Sequence, residues 1–222
     1  GYRLVGSEMC IRDSQYTENI TGQNLTSTSS MDVVYTTAIP LVAGNMNVTA
    51  TVSNVNGAGA DDDPSDDAIT IAIDPVVPAN GKVVVGEEAT GTWCAWCVRG
   101  IVFMDRFEQD YGPFWAGIAV HNGDPMVVTD YDAGLGGLIS GYPSSVVDRG
   151  SDVDPSAMTN DFFDRLQTAP TALLSTTSTW DPTTRDLEVT ITADFQAAAN
   201  DNYKFAVVLT EDGVTGTGSG YA

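Results

Sequence analysis

Positive charge is what this chain has least of. Nine Lys and Arg stand against thirty Asp and Glu in 222 residues, a formal net charge of −21. Phosphate contacts need clustered Lys and Arg, so the balance excludes nucleic acid as a partner. It argues in the same way against anionic membrane surfaces. Low Lys with abundant Asp and Thr suits a secreted or salt-adapted protein. Long apolar runs are also missing: no stretch of eighteen apolar residues occurs, so no transmembrane segment is expected in this fragment. No basic region followed by an apolar stretch opens the chain, so no signal peptide is visible. The chain starts without Met and stops at "GSGYA", just after a strand-like run, and is expected to be truncated.

Cysteine and histidine are scarce, with three Cys and the single His121. Structural zinc needs four such ligands, so it has little to draw on. What is abundant is apolar material, 42% of the residues, enough for a real core, and 222 residues suit one large domain or two small ones. Residues 1–14, "GYRLVGSEMCIRDS", carry neither a helical nor a strand period. They resemble a translated sequencing-adapter remnant, with a disordered leader as the alternative. Cys10 is set aside on either reading. Cys94 and Cys97 remain.

Residues 15–76 read as β structure. "MDVVYTTAIP", "NVTATVSNV" and "DAITIAI" are strand-like, and turn material separates them. The segment is expected to be the tail of an antiparallel, immunoglobulin-like β-sandwich. Its acidic loop, Asp61, Asp62, Asp63, Asp66 and Asp67, lacks calcium-loop spacing and reads as a solvated turn. Asn-x-Thr triplets at Asn19, Asn24 and Asn47 matter only in a eukaryotic secretory setting.

After the linker "DPVVPANGK" the pattern changes, and residues 80–168 read as α/β. "KVVVGEEATG" is a buried-looking strand. "CAWCVRGIVFMDRFEQDYG" is a helix with Val98, Ile101, Val102 and Phe107 on its apolar side, stopped by Gly112-Pro113. "FWAGIAVHN" is a second strand, expected to lie parallel to the first. A glycine-weakened helix, the strand "SSVVDR" and the helix "DPSAMTNDFFDRLQTAP", with Ala157, Phe162 and Leu166 at its apolar positions, follow. Residues 170–222 return to β, with strands in "TALLSTTSTW", "DLEVTITADFQ" and "YKFAVVLTEDG".

The stretch "TGTWCAWCVRG" carries the chemistry. Haem attachment needs His directly after the second Cys, and Val98 stands there. A redox pair fits better. Cys94 is expected at a helix N-terminus, where free N–H groups and the macrodipole favour a thiolate. Cys97, one turn on, is expected to be more covered and to resolve a mixed disulfide. No Lys or Arg lies between Lys82 and Arg99, so the helix end has to supply most of the stabilisation. His121 ends the neighbouring strand. It is either a proton shuttle near the pair or a hydrogen-bonded residue ordering the "HNGDP" turn. Asp124 with one His makes a poor metal site. Trp93 and Trp96 form an apolar platform or pack inward. Arg149 reads as an ion-pair residue.

The order of elements, with "WCAWC", resembles the thioredoxin fold from Lys82 to Thr168, under half of the chain. Trp93 precedes the first Cys as in thioredoxins. Glu88 lies six positions before Cys94, where that family carries a buried acid that assists proton transfer. Whether Glu87 or Glu88 points inward depends on strand register. "GYPSS" places Pro143 where the family has its cis-proline, beside the Cys pair. "GEEATGTWCAWCVRG", "IAVHNGDPM", "GYPSSVVDR" and the closing "VVLTEDGVTGTGSGYA" together resemble the outer-membrane protein twenty-eight family of Bacteroidota. That resemblance implies a thioredoxin-like part flanked by β domains. It also implies a location at the outer membrane, at the cell surface or outside the cell.

Ala95-Trp96 replaces the Gly-Pro of thioredoxins, and Tyr142 precedes Pro143. The usual edge strand and hairpin after "SSVVDR" are not found. The expected site is thus Cys94, Cys97, Glu88, Pro143 and His121 for chemistry, with Trp93, Trp96 and Tyr142 contacting substrate. No cofactor is expected beyond a redox-active Cys94–Cys97 disulfide, and no metal. Two functions follow. One is extracytoplasmic thiol–disulfide exchange with protein thiols or disulfides. The other is a surface or secreted binding protein whose CxxC is a structural staple.

Overall fold

The computed structural model describes residues 7–11, 14–21, 26, 29–38, 41–55, 63–199 and 202–216. It divides into two compact units, Gly1–Val77 and Pro78–Ala222. Three sheets and a few helices make it a sheet-rich α/β protein.

In the first unit, β1 (Ser7–Ile11), β2 (Ser14–Glu18), β3 (Met46–Val52) and β4 (Ala68–Ile73) form one antiparallel sheet in the order β2-β1-β3-β4. β3 and β4 lie where β-branched alternation predicts strands. The Thr49 and Thr70 hydroxyls pair across them at 2.8 Å. Two expectations are corrected here. Residues 7–11 are not structureless: their backbone pairs in register with β2 and β3. Such pairing is open to almost any sequence and says nothing of where the segment came from. "MDVVYTTAIP" makes no strand over 31–38, because the Thr36 N–H and hydroxyl go to a Glu18 carboxylate oxygen at 2.8 and 2.5 Å instead of to a ladder. Pro40 and Ile39 lie outside the described residues, as do Asn24, Asp61 and Asp62. Asp63 accepts both the N–H and the hydroxyl of Ser65, as a turn residue does. No second sheet packs on this one among the described residues of the unit.

The second unit is built on a mixed sheet. Its strands are β5 (Val84–Thr90), β6 (Trp115–His121), β7 (Ser144–Val147) and β8 (Asp152–Val153), in the order β6-β5-β7-β8. β5 and β6 run parallel, as a strand–helix–strand crossover requires. β7 runs antiparallel to both of its neighbours. α1 (Val98–Tyr111) joins β5 to β6, α2 (Thr129–Gly136) joins β6 to β7, and α3 (Met158–Leu166) follows β8. Asp154 caps the short 3-10 turn that leads into α3, its side chain accepting the Ser156 N–H.

The helices cover both faces of this sheet. Even-numbered residues of β5 face α1 and α3, where Val84, Phe107, Trp115, Val147, Met158, Phe162 and Leu166 form the larger core. Odd-numbered residues face α2, with Ala89, Val120, Leu135 and Val146. The Trp115 indole occupies the space a side chain would need at Gly86, so that glycine lets β5 accept the largest core ring.

Four further readings are corrected. The edge strand is present: β8 pairs with β7 through a tight turn, and its two residues are too few to show a period. The buried side of α1 carries Gly100 and Phe107, while Val98, Ile101 and Val102 are exposed. In α3 the inward residues are Met158, Phe162 and Leu166, with Ala157 outside. Finally, β9 (Ala172–Asp181) and β10 (Asp186–Phe195) form a two-stranded hairpin, but "YKFAVVLTEDG" pairs with no strand. Phe205, Val207 and Leu209 instead border an apolar groove of about 450 Å³ with Leu174, Leu187, Val189 and Ile191 of the hairpin. No helix among the described residues is long and apolar enough to cross a membrane.

Candidate functional site: the Cys94–Cys97 turn

β5 feeds directly into the turn that holds the cysteines. The Cys94 N–H donates to the Gly91 carbonyl at 2.9 Å, and the Cys97 N–H donates to the Cys94 carbonyl at 3.1 Å. Cys97 is the N-cap of α1, so Cys94 lies one tight turn before the helix and not at its N-terminus as expected. The helix end therefore acts first on Cys97. The two cysteines are joined in a disulfide, with Cα atoms 5.4 Å apart. They differ in access: Cys97 is 2% exposed and Cys94 is half-buried. Cys94 is the more accessible of the two.

Both tryptophans of the motif face outward. Trp96 is 73% exposed and Trp93 54%. Trp93 is nevertheless fixed: its indole N–H donates to the Asn122 carbonyl at 2.6 Å, and its ring meets Tyr142 edge to face at 5.3 Å. That contact brings the Cys turn against the loop of Pro143. The Tyr142–Pro143 peptide bond is cis. Beside it runs an open polar cleft of about 330 Å³ that includes Ser140, Tyr142, Pro143, Asp152 and Asp154. Asp152 accepts the Ser140 N–H and hydroxyl at 2.8 and 2.6 Å, which ties the Pro143 loop to the edge strand. Arg99, the nearest cation in sequence, is taken by Asp154 at 2.5 Å and is not turned to the sulfurs.

Strand alternation separates the two glutamates. Glu87 faces α2, where the Tyr131 hydroxyl donates to it at 2.6 Å and Arg149 forms an ion pair with it. Burial, with Glu87 adding to it, pushes the Tyr131 hydroxyl up to about 12, so it serves as a donor. Arg149 is thus an ion-pair residue, as its sequence context suggests. Glu88 faces α1. It is 1% exposed, and neither carboxyl oxygen has a hydrogen-bond partner of good geometry. Burial pushes its carboxyl up to about 7, with the Thr90 hydroxyl pulling weakly the other way. Its carboxyl fills the space above Gly100, where any Cβ would overlap it. Gly100 lies three residues after Cys97, on the same helix face. The acid is therefore on the buried, Cys97 side of the disulfide. Ser145, directly opposite Glu88 on β7, is also buried with no partner for its hydroxyl.

His121 stands level with Thr90 at the end of the parallel pair. Its Nδ1 lies 2.7 Å from Asp124 Oδ2, so the imidazole is engaged in the "HNGDP" turn. Asp124 also accepts the Thr92 N–H at 3.0 Å and the Met126 N–H at 2.9 Å. Burial alone would raise its carboxyl, but the His121, Thr92 and Met126 donors outweigh that and hold it below the usual carboxylate range. Among the described residues no group of three or more His, Cys, Asp and Glu is placed to hold a metal ion.

The structure thus brings Cys94, Cys97, Trp93, Tyr142 and Pro143 together, buries Glu88 against Gly100 in the first turn of the helix that Cys97 caps, and engages His121 elsewhere. Sequence reasoning gave Asp124, Asn122 and Ser145 no role in the site. Asp124 and Asn122 act on main-chain N–H and indole N–H groups, a pattern with no residue signature; the turn letters "NGD" after a strand were the one hint. No family model matches the chain, and neither a curated protein nor a solved structure matches it.

Proposed function

We propose that this protein is an extracytoplasmic thiol–disulfide exchange protein, acting on protein thiols or disulfides through a thioredoxin-like part. The observation that carries the reading is the asymmetry of the pair: an accessible Cys94 joined to a buried Cys97, with Glu88 buried against Gly100 of the following helix and the Pro143 loop packed alongside through Trp93 and Tyr142. The order β6-β5-β7-β8 with β7 reversed and helices on both faces supports the thioredoxin-like assignment. The location, and membership of the outer-membrane protein twenty-eight family, rest on the resemblance of the motifs.

In the oxidising direction a partner thiolate attacks Cys94 Sγ. The Cys94–Cys97 bond breaks, and Cys97 leaves as a thiolate that takes up a proton. Glu88, neutral in its buried site at moderately acid pH, is the donor on that side. The partner's second thiol then displaces Cys94. Two electrons and two protons have passed from the partner dithiol to the pair. The reducing direction is the reverse.

A redox titration with iodoacetamide trapping tests this. A potential above about −300 mV, with Cys94 alkylated faster than a free cysteine, is the expected result. A potential well below that value, with an ordinary Cys94, would make the disulfide a staple. The apolar groove between the β9–β10 hairpin and residues 204–209 favours the second reading, a surface-binding protein. A Cys94→Ser, Cys97→Ser variant that keeps full cellular function would establish that reading in place of the first.

A further inference from the structure

Asp124 has a side chain that is 1% exposed, in a protein whose acidic residues mostly face water. A buried carboxylate is retained only where donors satisfy it. Here three do, and two of them share one oxygen. Oδ2 accepts both the Thr92 N–H and the His121 ring, while Oδ1 accepts the Met126 N–H. Thr92 is the second residue of the turn closed by the Cys94 N–H on the Gly91 carbonyl. The loop that carries Asp124 also receives the Trp93 indole N–H on its Asn122 carbonyl. The turn is therefore held from one side at two successive residues, just before Cys94.

We infer that Asp124 is the positioning residue for Cys94, with His121 orienting its carboxylate. This rests on the redox reading above and adds to it the group that sets the geometry of the attacked sulfur. The physical consequence lies in the reduced state. Once the S–S bond is broken, these contacts, together with the Cys97 N–H on the Cys94 carbonyl, keep Sγ of Cys94 near Sγ of Cys97. The closer they are held, the higher their effective concentration and the more stable the disulfide. The Asp124 charge acts in the same direction, because it disfavours a thiolate in the neighbouring turn. Both effects make the disulfide harder to reduce. Removal of Asp124 is expected to make reduction easier.

The experiment equilibrates the whole chain with reduced and oxidised dithiothreitol. Each protein disulfide reduced takes two electrons and two protons from one dithiothreitol, which closes its own ring disulfide. The variants are Asp124→Ala, Asp124→Asn, His121→Gln and, as a charge control, the exposed Asp130→Asn. For Asp124→Ala the equilibrium constant is expected to move about tenfold toward the dithiol, roughly 30 mV. Asp124→Asn, which keeps one acceptor oxygen, and His121→Gln should move it in the same direction by less. Asp130→Asn should match wild type. Melting temperatures are read in parallel. If Asp124→Ala does not fold, Asp124→Asn and His121→Gln carry the test. A lowered melting temperature with an equilibrium constant within twofold of wild type in the variants that fold would make Asp124 a structural residue and overturn the inference. The wild-type potential by itself decides the redox reading, so the two failures are distinguishable.

Discussion

The Trp93 ring and the Tyr142 ring meet edge to face at 5.3 Å, and each directly precedes a residue of the site, Cys94 and Pro143. One contact thus couples the residue before the more accessible cysteine to the Pro143 loop. Trp93 is also anchored through its indole N–H to Asn122. Trp93→Ala removes both and is expected to lower stability by about 1–2 kcal/mol, the sum of a ring pair and a half-exposed hydrogen bond. Exchange with a disulfide-bonded polypeptide should slow about tenfold, because positioning is lost. Reduction by dithiothreitol, which needs no groove, should change by less than about threefold. Trp93→Phe should fall between. Equal slowing with both reductants would mean that Trp93 acts on the sulfur itself.

Glu88 gives the protein a stability that depends on pH in an unusual direction. Its carboxyl titrates near 7 when folded against 4.5 unfolded. Below 4.5 both states hold the proton and the group contributes nothing. Between 4.5 and 7 the unfolded chain releases its proton while the folded protein keeps it, so stability falls as pH rises. Above 7 the deficit is constant at about 3 kcal/mol, to order of magnitude. Urea denaturation from pH 4 to 8 should show this fall, and Glu88→Gln should flatten it. A profile that is parallel in wild type and Glu88→Gln would show that Glu88 ionises freely.

The strand–helix–strand core of the second unit was readable because period and stop signals agree there. β6 is a nearly continuous apolar run, β5 starts in the apolar run Val83–Val85, and Gly112-Pro113 ends α1. The face of α1 was misread for a physical reason. Val98, Ile101 and Val102 form an apolar stripe, whereas the buried side at that level is Gly100, which contributes no side chain and leaves room for a carboxylate from another strand. β8 is too short to carry a period. Residues 203–213 have strand composition, but a strand needs a hydrogen-bonded neighbour, which composition does not report. Asp124 read as half of a poor metal site, because its partners are mostly backbone N–H groups that no letter of the sequence marks.

The turn from β7 to β8 holds two residues at positive φ, Asp148 at 46° and Arg149 at 56°. Glycine normally relieves such strain, by about 1 kcal/mol. Arg149→Gly is nonetheless expected to destabilise. It would leave Glu87, whose side chain is 3% exposed, with Tyr131 as its remaining side-chain donor. Stranding a buried charge costs about 3 kcal/mol or more. Arg149 is half-exposed, so the net loss should be about 1–2 kcal/mol, a fall of roughly 3–6 °C in Tm. Arg149→Lys, which keeps the charge without the fork, should lose less. A higher Tm for Arg149→Gly would mean that the strain outweighs the ion pair.

Gly100 offers the sharpest test of where Glu88 lies. In an exposed helix interior, Gly→Ala stabilises by about 1 kcal/mol. Here the new methyl would overlap the buried Glu88 carboxyl, which would have to shift under α1. Overpacking of this kind costs about 1–3 kcal/mol, so Gly100→Ala should destabilise by about 1–2 kcal/mol net. The cause is testable by a double-mutant cycle with Glu88→Ala. In that background the carboxyl is gone, the methyl fills part of the space left behind, and the helix gain reappears. The coupling energy should exceed about 1 kcal/mol, well beyond that of independent sites. Additive single effects would place the Glu88 carboxyl away from Gly100, and would remove the proton donor from the exchange reaction proposed above.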